Sequence, residues 1–158
     1  MERAAIQRAF AEFLFDRDIL LVHGSTMAVD GRAYLFAAKS GTGKSTHTRL
    51  WREVFGSRVQ MVNDDKPFAQ LTSTGITVWG SPWSGKHGLD SNISVPLQGI
   101  CLLERGGENR ITSASAEELL PLLEKQAYEP LTAEKAALSR DLLAALSQSV
   151  PLWRASCT

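Results

Sequence analysis

Apolar and polar positions alternate along this chain with two periods, one typical of strands and one of amphipathic helices. Apolar residues recur at three- and four-residue spacing over residues 3–15 and predict a helix there. Further helices are predicted over 44–55, after a capping box that starts at Ser115, and after an N-cap at Thr132. Strand-like runs occupy residues 19–29, 32–38, 58–62, 96–104 and 152–155, and residues 67–80 predict a hairpin with a turn near 73–75. The pattern predicts an α/β fold with a mixed central sheet and flanking helices.

The dipeptide Asp30-Gly31 separates the first two strand candidates and predicts a tight hairpin. A two-residue loop fixes the register, so Val29 pairs with Arg32. Counting along the pair places His23 opposite Ala38, unless a bulge near Gly24 shifts it by one residue. A lone histidine is often only a structural residue. This register, however, places His23 beside the start of the glycine-rich segment 38–45.

Residues 38–45, Ala-Lys-Ser-Gly-Thr-Gly-Lys-Ser, follow a predicted strand and open a predicted helix. This is the order required of a phosphate-binding loop of the Walker A type, with Ala38 where glycine is usual. Glycines let backbone N–H groups turn inward around phosphate oxygens, and the helix directs its partial positive charge at the same point. The predicted nucleotide ligands are Ser40, Gly41, Thr42, Gly43, Lys44, Ser45 and Thr46. Lys44 would contact the terminal phosphates, and the Ser45 hydroxyl would bind Mg²⁺.

The strand predicted over residues 58–62 continues into Asn63-Asp64-Asp65. Strand, helix and strand form a βαβ unit, which predicts parallel strands whose carboxyl ends lie at the same edge of the sheet. The two carboxylates would therefore lie beside the glycine-rich loop, where one can hold Mg²⁺ and the other can take a proton from a hydroxyl. The alternative is a structural Asp-Asp turn.

Three further segments carry more specific expectations. The helix over 44–55 has His47, Leu50, Trp51 and Val54 on one face, which predicts a packed apolar face that includes the histidine. Residues 81–92 form a long polar loop, in which Lys86 is the candidate for a second cation on a transferring phosphoryl group. The segment 110–112 follows a turn after the strand 96–104 and is expected to pair back on it.

Composition narrows the classes of function. The chain has 158 residues, of which 44% are hydrophobic and 22% charged, and its 17 basic residues balance its 17 acidic ones. This balance predicts neither nucleic-acid nor membrane binding, and no apolar run is long enough to span a bilayer. The N-terminus lacks a signal-peptide pattern, so we expect a cytoplasmic protein. Cys101 is expected to be a buried thiol, and neither cysteine suggests a disulfide or a metal site.

Three blocks of sequence resemble the P-loop kinase core of the HPr kinase/phosphorylase and ATP-dependent phosphoenolpyruvate carboxykinase superfamily. Residues 40–45 match that group's S-G-x-G-K-S/T loop, His23-Gly24 resembles its histidine block, and residues 62–65 resemble its V-x-D-D block. The likeness covers residues 19–105. The pattern is most similar to short HPr-kinase-like proteins with N-D-D-K-P and G-x-P-W-S-G-K blocks, some of which are tied to peptide-modification systems.

The resemblance implies one catalytic domain over residues 1–158: an N-terminal helix 3–15, a nucleotide-binding core 19–112, and C-terminal helices with a last strand over 115–155. It implies ATP and Mg²⁺ as cofactors. It suggests Asp64 as the proton acceptor, Asp65 with Ser45 on the metal side, and His23 as a polar neighbour of the phosphates. The roles of the two aspartates can be exchanged. It also implies that the chain can form a homo-oligomer.

Three functions are compatible with these residues. The first is a phosphotransferase that moves the γ-phosphate of ATP to a hydroxyl, such as a serine of a protein, a peptide or the free amino acid. The second is a nucleotide-binding regulatory or assembly module without phosphotransfer. The third is a packed domain whose loop is inactive. Transfer of labelled phosphate that is lost on changing Lys44 and Asp64 would separate the first from the others.

Overall fold

The computed structural model describes residues 1–158, except for the side chain of Lys86. It is a mixed α/β fold with nine strands and four α-helices. The helices are α1 (Glu2–Leu14), α2 (Lys44–Phe55), α3 (Ala116–Glu124) and α4 (Ala133–Ser149). The strands are β1 (Ile19–Leu21), β2 (Ser25–Val29), β3 (Arg32–Ala37), β4 (Val59–Asn63), β5 (Phe68–Thr72), β6 (Gly75–Trp79), β7 (Ser94–Arg105), β8 (Arg110–Ser113) and β9 (Leu152–Cys157). In this part of the chain no helix is both long and apolar enough to cross a bilayer.

The strands form one curled mixed sheet around the long strand β7. The main order is β1-β5-β6-β7-β3-β2-β4, with β9 also paired to β7 and β8 paired to β9. The first residues of β7 pair with β6, and its second half pairs in parallel with both β3 and β9. Since β7 contacts three other strands, it connects the two halves of the sheet.

Two cores lie on opposite faces of the sheet, and a third cluster packs α1 against β1 and β5. The larger core lies between the sheet and helices α3 and α4, and its most deeply buried members include Leu35, Ile100, Leu119 and Leu123. The smaller core lies on the opposite face, under α2, and includes Met27, Phe36 and Cys101. Burial raises the pKa of the Cys101 thiol to about 12, so it behaves as a small apolar side chain.

The hairpin at Asp30-Gly31 is confirmed, with Val29 paired to Arg32 and both turn residues at positive φ. The single strand expected over residues 19–29 is wrong, because the chain leaves the ladder between Leu21 and Ser25. There the His23 N–H donates to Gln126 O and the Gly24 N–H donates to Asp65 O. A Cβ at Gly24 would lie 3.0 Å from Leu35 Cδ1 and from Phe36 O, so this close crossing favours glycine.

The prediction that the strands before and after α2 run in the same direction is confirmed. Strand β2 lies between β3 and β4 and is antiparallel to both, so β3 and β4 run in the same direction without being neighbours. Both strands therefore end at the same edge. The expectation that 110–112 pairs back on β7 is wrong, because β8 pairs with β9 and β9 occupies that side of β7.

Two helix faces also differ from the prediction. On α2, Leu50 and Val54 are exposed, while Lys44 and Thr48 are buried, because the helix contacts the sheet through its first turns. On α1, Ile6 and Phe13 are exposed, and burial is concentrated at Ala11 and Leu14. Hydrophobic spacing locates both helices correctly, but it does not decide which part of the apolar surface is covered.

Candidate functional site

The glycine loop, which we define as residues 38–43, connects the end of β3 to the start of α2. Gly41 and Gly43 have φ values of 80° and 113°, which disfavour residues with a Cβ. The Thr42 N–H donates to Lys39 O at 3.1 Å, which closes the turn. Ala38 is fully buried beneath it, Ser40 is exposed at the tip, and Thr46 is exposed in the first turn of α2.

Lys44 is the first residue of α2 and its side chain returns over the glycine loop. Its Nζ donates to Ala38 O at 2.9 Å. Burial lowers the pKa of Lys44, and the nearby carboxylates of Asp65 and Asp64 oppose that shift. The predicted phosphate-binding lysine thus lies between the loop backbone and the two predicted carboxylates.

Asp64 joins the end of β4 to the first turn of α2. Its Oδ2 accepts a hydrogen bond from Ser45 Oγ at 2.9 Å, and its Oδ1 accepts one from Ser25 Oγ at 2.6 Å. The Asp64 N–H donates to Leu89 O at 3.0 Å. The side chain is buried, so its orientation is fixed by these partners. The predicted proximity of the acidic pair to the start of α2, directly after the glycine loop, is therefore confirmed for Asp64.

Asp65 points toward a different neighbour. Its Oδ1 lies 3.0 Å from His23 Nε2, and this hydrogen bond holds the pKa of Asp65 below its ordinary value despite partial burial. The Asn63 side chain accepts from the backbone N–H groups of Asp65 and Lys66, which turns the chain sharply after β4. The two adjacent acids therefore face different partners: Asp64 faces serines of α2 and β2, and Asp65 faces a histidine.

The histidine reaches this position by tertiary contacts rather than by the extended hairpin. His23 lies in the break between β1 and β2, where backbone bonds to Gln126 and Asp65 hold the segment. The predicted pairing of His23 opposite Ala38 is wrong, since the ladder ends at Ser25 and Phe36. The structure places His23 against Asp65, and its role beside the phosphates stays a prediction.

The loop over residues 81–92 covers the acidic pair from one side. Asn63 Nδ2 donates to Ser81 O at 2.9 Å, and Ser81 Oγ donates to Lys66 O at 2.6 Å. A Cβ at Gly85 would lie 3.2 Å from Asp65 Cβ, so the loop passes close over that residue. The side chain of Lys86 lies outside the described part of the structure, and its role stays a prediction. Trp83 packs against Phe68 with ring centroids 6.1 Å apart.

Two residues of the site were missed at the level of sequence. Arg105, the last residue of β7, donates from Nη2 to Gly41 O at 3.2 Å and brings a guanidinium to the glycine loop. Ser25 is the buried donor to Asp64. The parallel pairing of β7 with β3 explains the position of Arg105, because parallel strands end at one edge of a sheet.

The side chains at this site offer few ligands for a metal ion. The described residues contain no group of three or more histidine, cysteine, aspartate or glutamate side chains placed to hold a metal ion together. Ser45 and Asp64 place two side-chain oxygen atoms next to each other. That set fits Mg²⁺, which keeps several waters and takes further oxygens from substrate phosphates.

Comparison with known proteins gives a distant structural similarity. No protein-family model matches the sequence. No curated protein matches it either. Among solved structures, the chain is similar to the HPr(Ser) kinase/phosphatase from Coxiella burnetii, with 11% sequence identity and a TM-score of 0.41. That overlap covers 60% of this chain and 70% of the other.

Proposed function

We propose that this chain is a phosphotransferase that moves the γ-phosphate of a Mg²⁺-bound nucleoside triphosphate, ATP in our assignment, to a hydroxyl group. The observation that carries the proposal is the hydrogen bond between Ser45, at the start of α2, and Asp64, at the end of β4. It brings a helix N-terminus, a lysine and a carboxylate to one edge of the sheet. Phosphoryl transfer depends mainly on such positioning and on charge neutralisation.

The glycine loop and α2 would bind the phosphates. Backbone N–H groups of the loop and the partial positive charge of the helix N-terminus attract anions. Lys44 Nζ, which donates to Ala38 O, would exchange that carbonyl for a phosphate oxygen and gain a charge-assisted hydrogen bond. Arg105, bonded to Gly41 O, adds a second cation beside the loop. Lys86 remains a further predicted cation.

Ser45 and Asp64 would hold the metal ion. Mg²⁺ supplies neutralisation of the charge on the phosphate oxygens during transfer. Ser25 fixes the second oxygen of Asp64, so the carboxylate presents Oδ2 toward Ser45. These contacts favour Asp64 as the metal-side carboxylate, which is the exchanged form of the assignment suggested by the family resemblance.

Asp65 would then be the proton acceptor. Asp65 is ionised at neutral pH, which is the state needed to accept a proton from a hydroxyl, and the lowering of its pKa by His23 makes it a weaker base than an ordinary aspartate. His23 orients the carboxylate through its Nε2 contact. The hydroxyl oxygen attacks the γ-phosphorus while the bond to the β-phosphate oxygen breaks, the proton passes to Asp65, and the nucleoside diphosphate leaves. We propose a serine of a protein, a peptide or the free amino acid as the acceptor.

The test is transfer of labelled phosphate from ATP with Mg²⁺ to free serine, to serine-containing peptides and to proteins encoded beside this one, with mass spectrometry of the acceptor. Lys44→Ala is expected to lose nucleotide binding and transfer. Asp65→Asn is expected to keep binding but lose transfer by about 10²- to 10⁴-fold. Asp64→Asn is expected to weaken Mg²⁺-dependent binding. Glu53→Gln, on the same helix in an exposed ion pair with Arg49, is the control and should change neither.

The outcomes separate the functions. Transfer that survives Asp65→Asn but not Asp64→Asn would reverse the two carboxylate roles. Nucleotide binding without transfer to any acceptor would replace the kinase by a nucleotide-binding module. Absence of nucleotide binding would reject the site as a whole.

A further inference from the structure

A groove of about 1060 Å³ lies on the α2 side of the sheet, beside the glycine loop. Its floor is made by small side chains of neighbouring strands: Gly99 and Cys101 of β7 and Ala155 of β9. Large aromatic side chains stand on either side of this floor, Trp51 from α2 and Trp153 from β9. The groove is therefore mostly apolar and bounded by rings.

Strand register explains why small side chains lie between aromatic ones in this groove. Cys101 pairs with Phe36 of β3 on one side and with Trp153 of β9 on the other, so the three side chains lie in one row across the sheet. Side chains directly opposite in neighbouring strands point to the same face. A small residue between two aromatic ones leaves a trough along β7.

Gly99 allows Trp153 to lie over the sheet. A Cβ at Gly99 would be 2.2 Å from Trp153 Cζ3, closer than any real contact. The indole thus rests against the β7 backbone at the position where a side chain would otherwise stand. Gly99 itself is not at a positive φ, so space for the ring, rather than backbone conformation, accounts for glycine here.

The opposite wall is held by its own contacts. Trp51 Nε1 donates to His47 Nε2 at 3.1 Å, and the Trp51 ring lies 5.4 Å from Tyr34 and 5.5 Å from Phe36. The His47 ring packs on Phe36 at 4.7 Å. A ring fixed on several sides loses little freedom when a ligand stacks on it.

One end of the groove opens at the proposed phosphate site. Thr42 and Gly43 of the glycine loop and Thr46 of α2 line it, and so does Arg105, which donates to Gly41 O. Polar groups able to bond the edge of a planar ring, Asn109 and Ser156, line the same groove. A ligand extending from the loop onto the sheet would pass from phosphate donors to apolar surface.

We propose that this groove is the nucleoside subsite, which takes the base and ribose of the nucleotide whose phosphates bind the glycine loop, with Trp153 as a stacking surface. This inference rests on the proposed function. Pockets of this type are mostly apolar, carry a few polar groups, and reach a similar volume. Aromatic side chains stack on nucleobases without selecting one base strongly.

The experiment compares two ligands on the full chain by isothermal titration calorimetry. Mg²⁺-ATP uses both parts of the site, while Mg²⁺-tripolyphosphate uses only the phosphate part. Trp153→Ala is expected to raise the Kd for ATP by about 5- to 150-fold, the range for loss of one stacked base. The Kd for tripolyphosphate should stay unchanged, which also shows that the variant is folded. Trp153→Phe should restore most of the ATP affinity.

Trp79→Ala is the matched control, because Trp79 is an exposed tryptophan on β6 whose Nε1 donates to Gln70. It should change neither Kd. If Trp153→Ala leaves the affinity for ATP unchanged while Lys44→Ala abolishes it, the subsite is rejected and the phosphotransferase proposal stands. If Trp153→Ala weakens ATP and tripolyphosphate equally, the groove is structural. If wild-type protein binds neither ligand, both proposals fall.

Discussion

Ser25 and Thr26 are consecutive and fully buried on β2, yet only the Ser25 hydroxyl is hydrogen-bonded. Ser25 Oγ donates to Asp64 Oδ1 at 2.6 Å. Among the described residues, Thr26 Oγ1 has no hydrogen-bond partner. A buried hydroxyl that bonds a carboxylate stabilises the fold, whereas one without a partner keeps only its desolvation cost.

Removing the two hydroxyl groups should therefore have opposite results. Ser25→Ala is expected to lower the free energy of unfolding by about 1–3 kcal/mol, because Asp64 loses a donor. Thr26→Val keeps the shape of the side chain and should leave stability unchanged or raise it by up to about 1 kcal/mol. Urea unfolding followed by circular dichroism measures both. Equal losses in the two variants would contradict the hydrogen-bond assignment at Asp64.

At the residue scale, motif chemistry located Lys44, Ser45 and the acidic pair, since each belongs to a local block with its own spacing. The partners of these residues were less accessible. His23 was expected beside the phosphates from a register that the chain does not follow, and the structure shows it in contact with Asp65. Ser25 and Arg105 were missed because a serine in an apolar strand and an arginine before a turn carry no signal without their neighbours in space.

At the scale of elements, the β2–β3 hairpin sets the geometry of the site. Its register pairs Ser25 with Phe36, just before β3 leads into the glycine loop. Gly31 at the turn has φ 78°, and a Cβ there would meet nothing within 4 Å. The requirement for glycine is thus purely one of backbone conformation.

Gly31→Ala is expected to cost about 1–2 kcal/mol, the penalty for a Cβ in the left-handed region. Gly107→Ala is the control, since that glycine also has free space around a Cβ but no positive φ. It should be neutral or slightly stabilising, because alanine reduces the freedom of the unfolded chain. Thermal unfolding of the two variants tests this. Equal melting temperatures would show that the second left-handed position of the turn does not need glycine.

The elements themselves followed local rules closely. α2 begins at Lys44 and ends before Gly56, and α3 begins at the capping box of Ser115 and Glu118, as the sequence predicts. The capping bonds and the glycine stop act between residues a few positions apart. The buried face of each helix was not predictable in this way, because it depends on which strands lie beneath the helix.

At the scale of the whole molecule, β7 carries the connection between the two halves of the sheet. Ile100 lies where β7 is paired on both sides, opposite Leu35 of β3 and Leu152 of β9, and it is fully buried. Ile111 on β8 is a residue of the same type but is 66% exposed. Comparing substitutions at these two isoleucines therefore separates the effect of burial from the effect of residue type.

Ile100→Ala is expected to lower the free energy of unfolding by about 2–5 kcal/mol, since it removes buried methyl groups and leaves a cavity. Ile111→Ala should change it by no more than about 0.5 kcal/mol. Denaturant unfolding compares the two variants. A small effect at Ile100 would mean that β7 is not the central strand of the sheet.

The sequence by itself determined the helices, the two hairpins and the position of the glycine loop beside the acidic pair, because these depend on spacing, turn chemistry and strand direction along a short stretch of chain. Only the tertiary structure decided that β2 separates β3 from β4, that β9 rather than β8 joins β7, and that Asp64 and Asp65 face different partners. These features arise from pairings between residues far apart in the chain, where several arrangements satisfy the same apolar pattern and packing selects one. The aromatic groove belongs to this second group, since its walls come from α2 and β9 and meet only across the sheet.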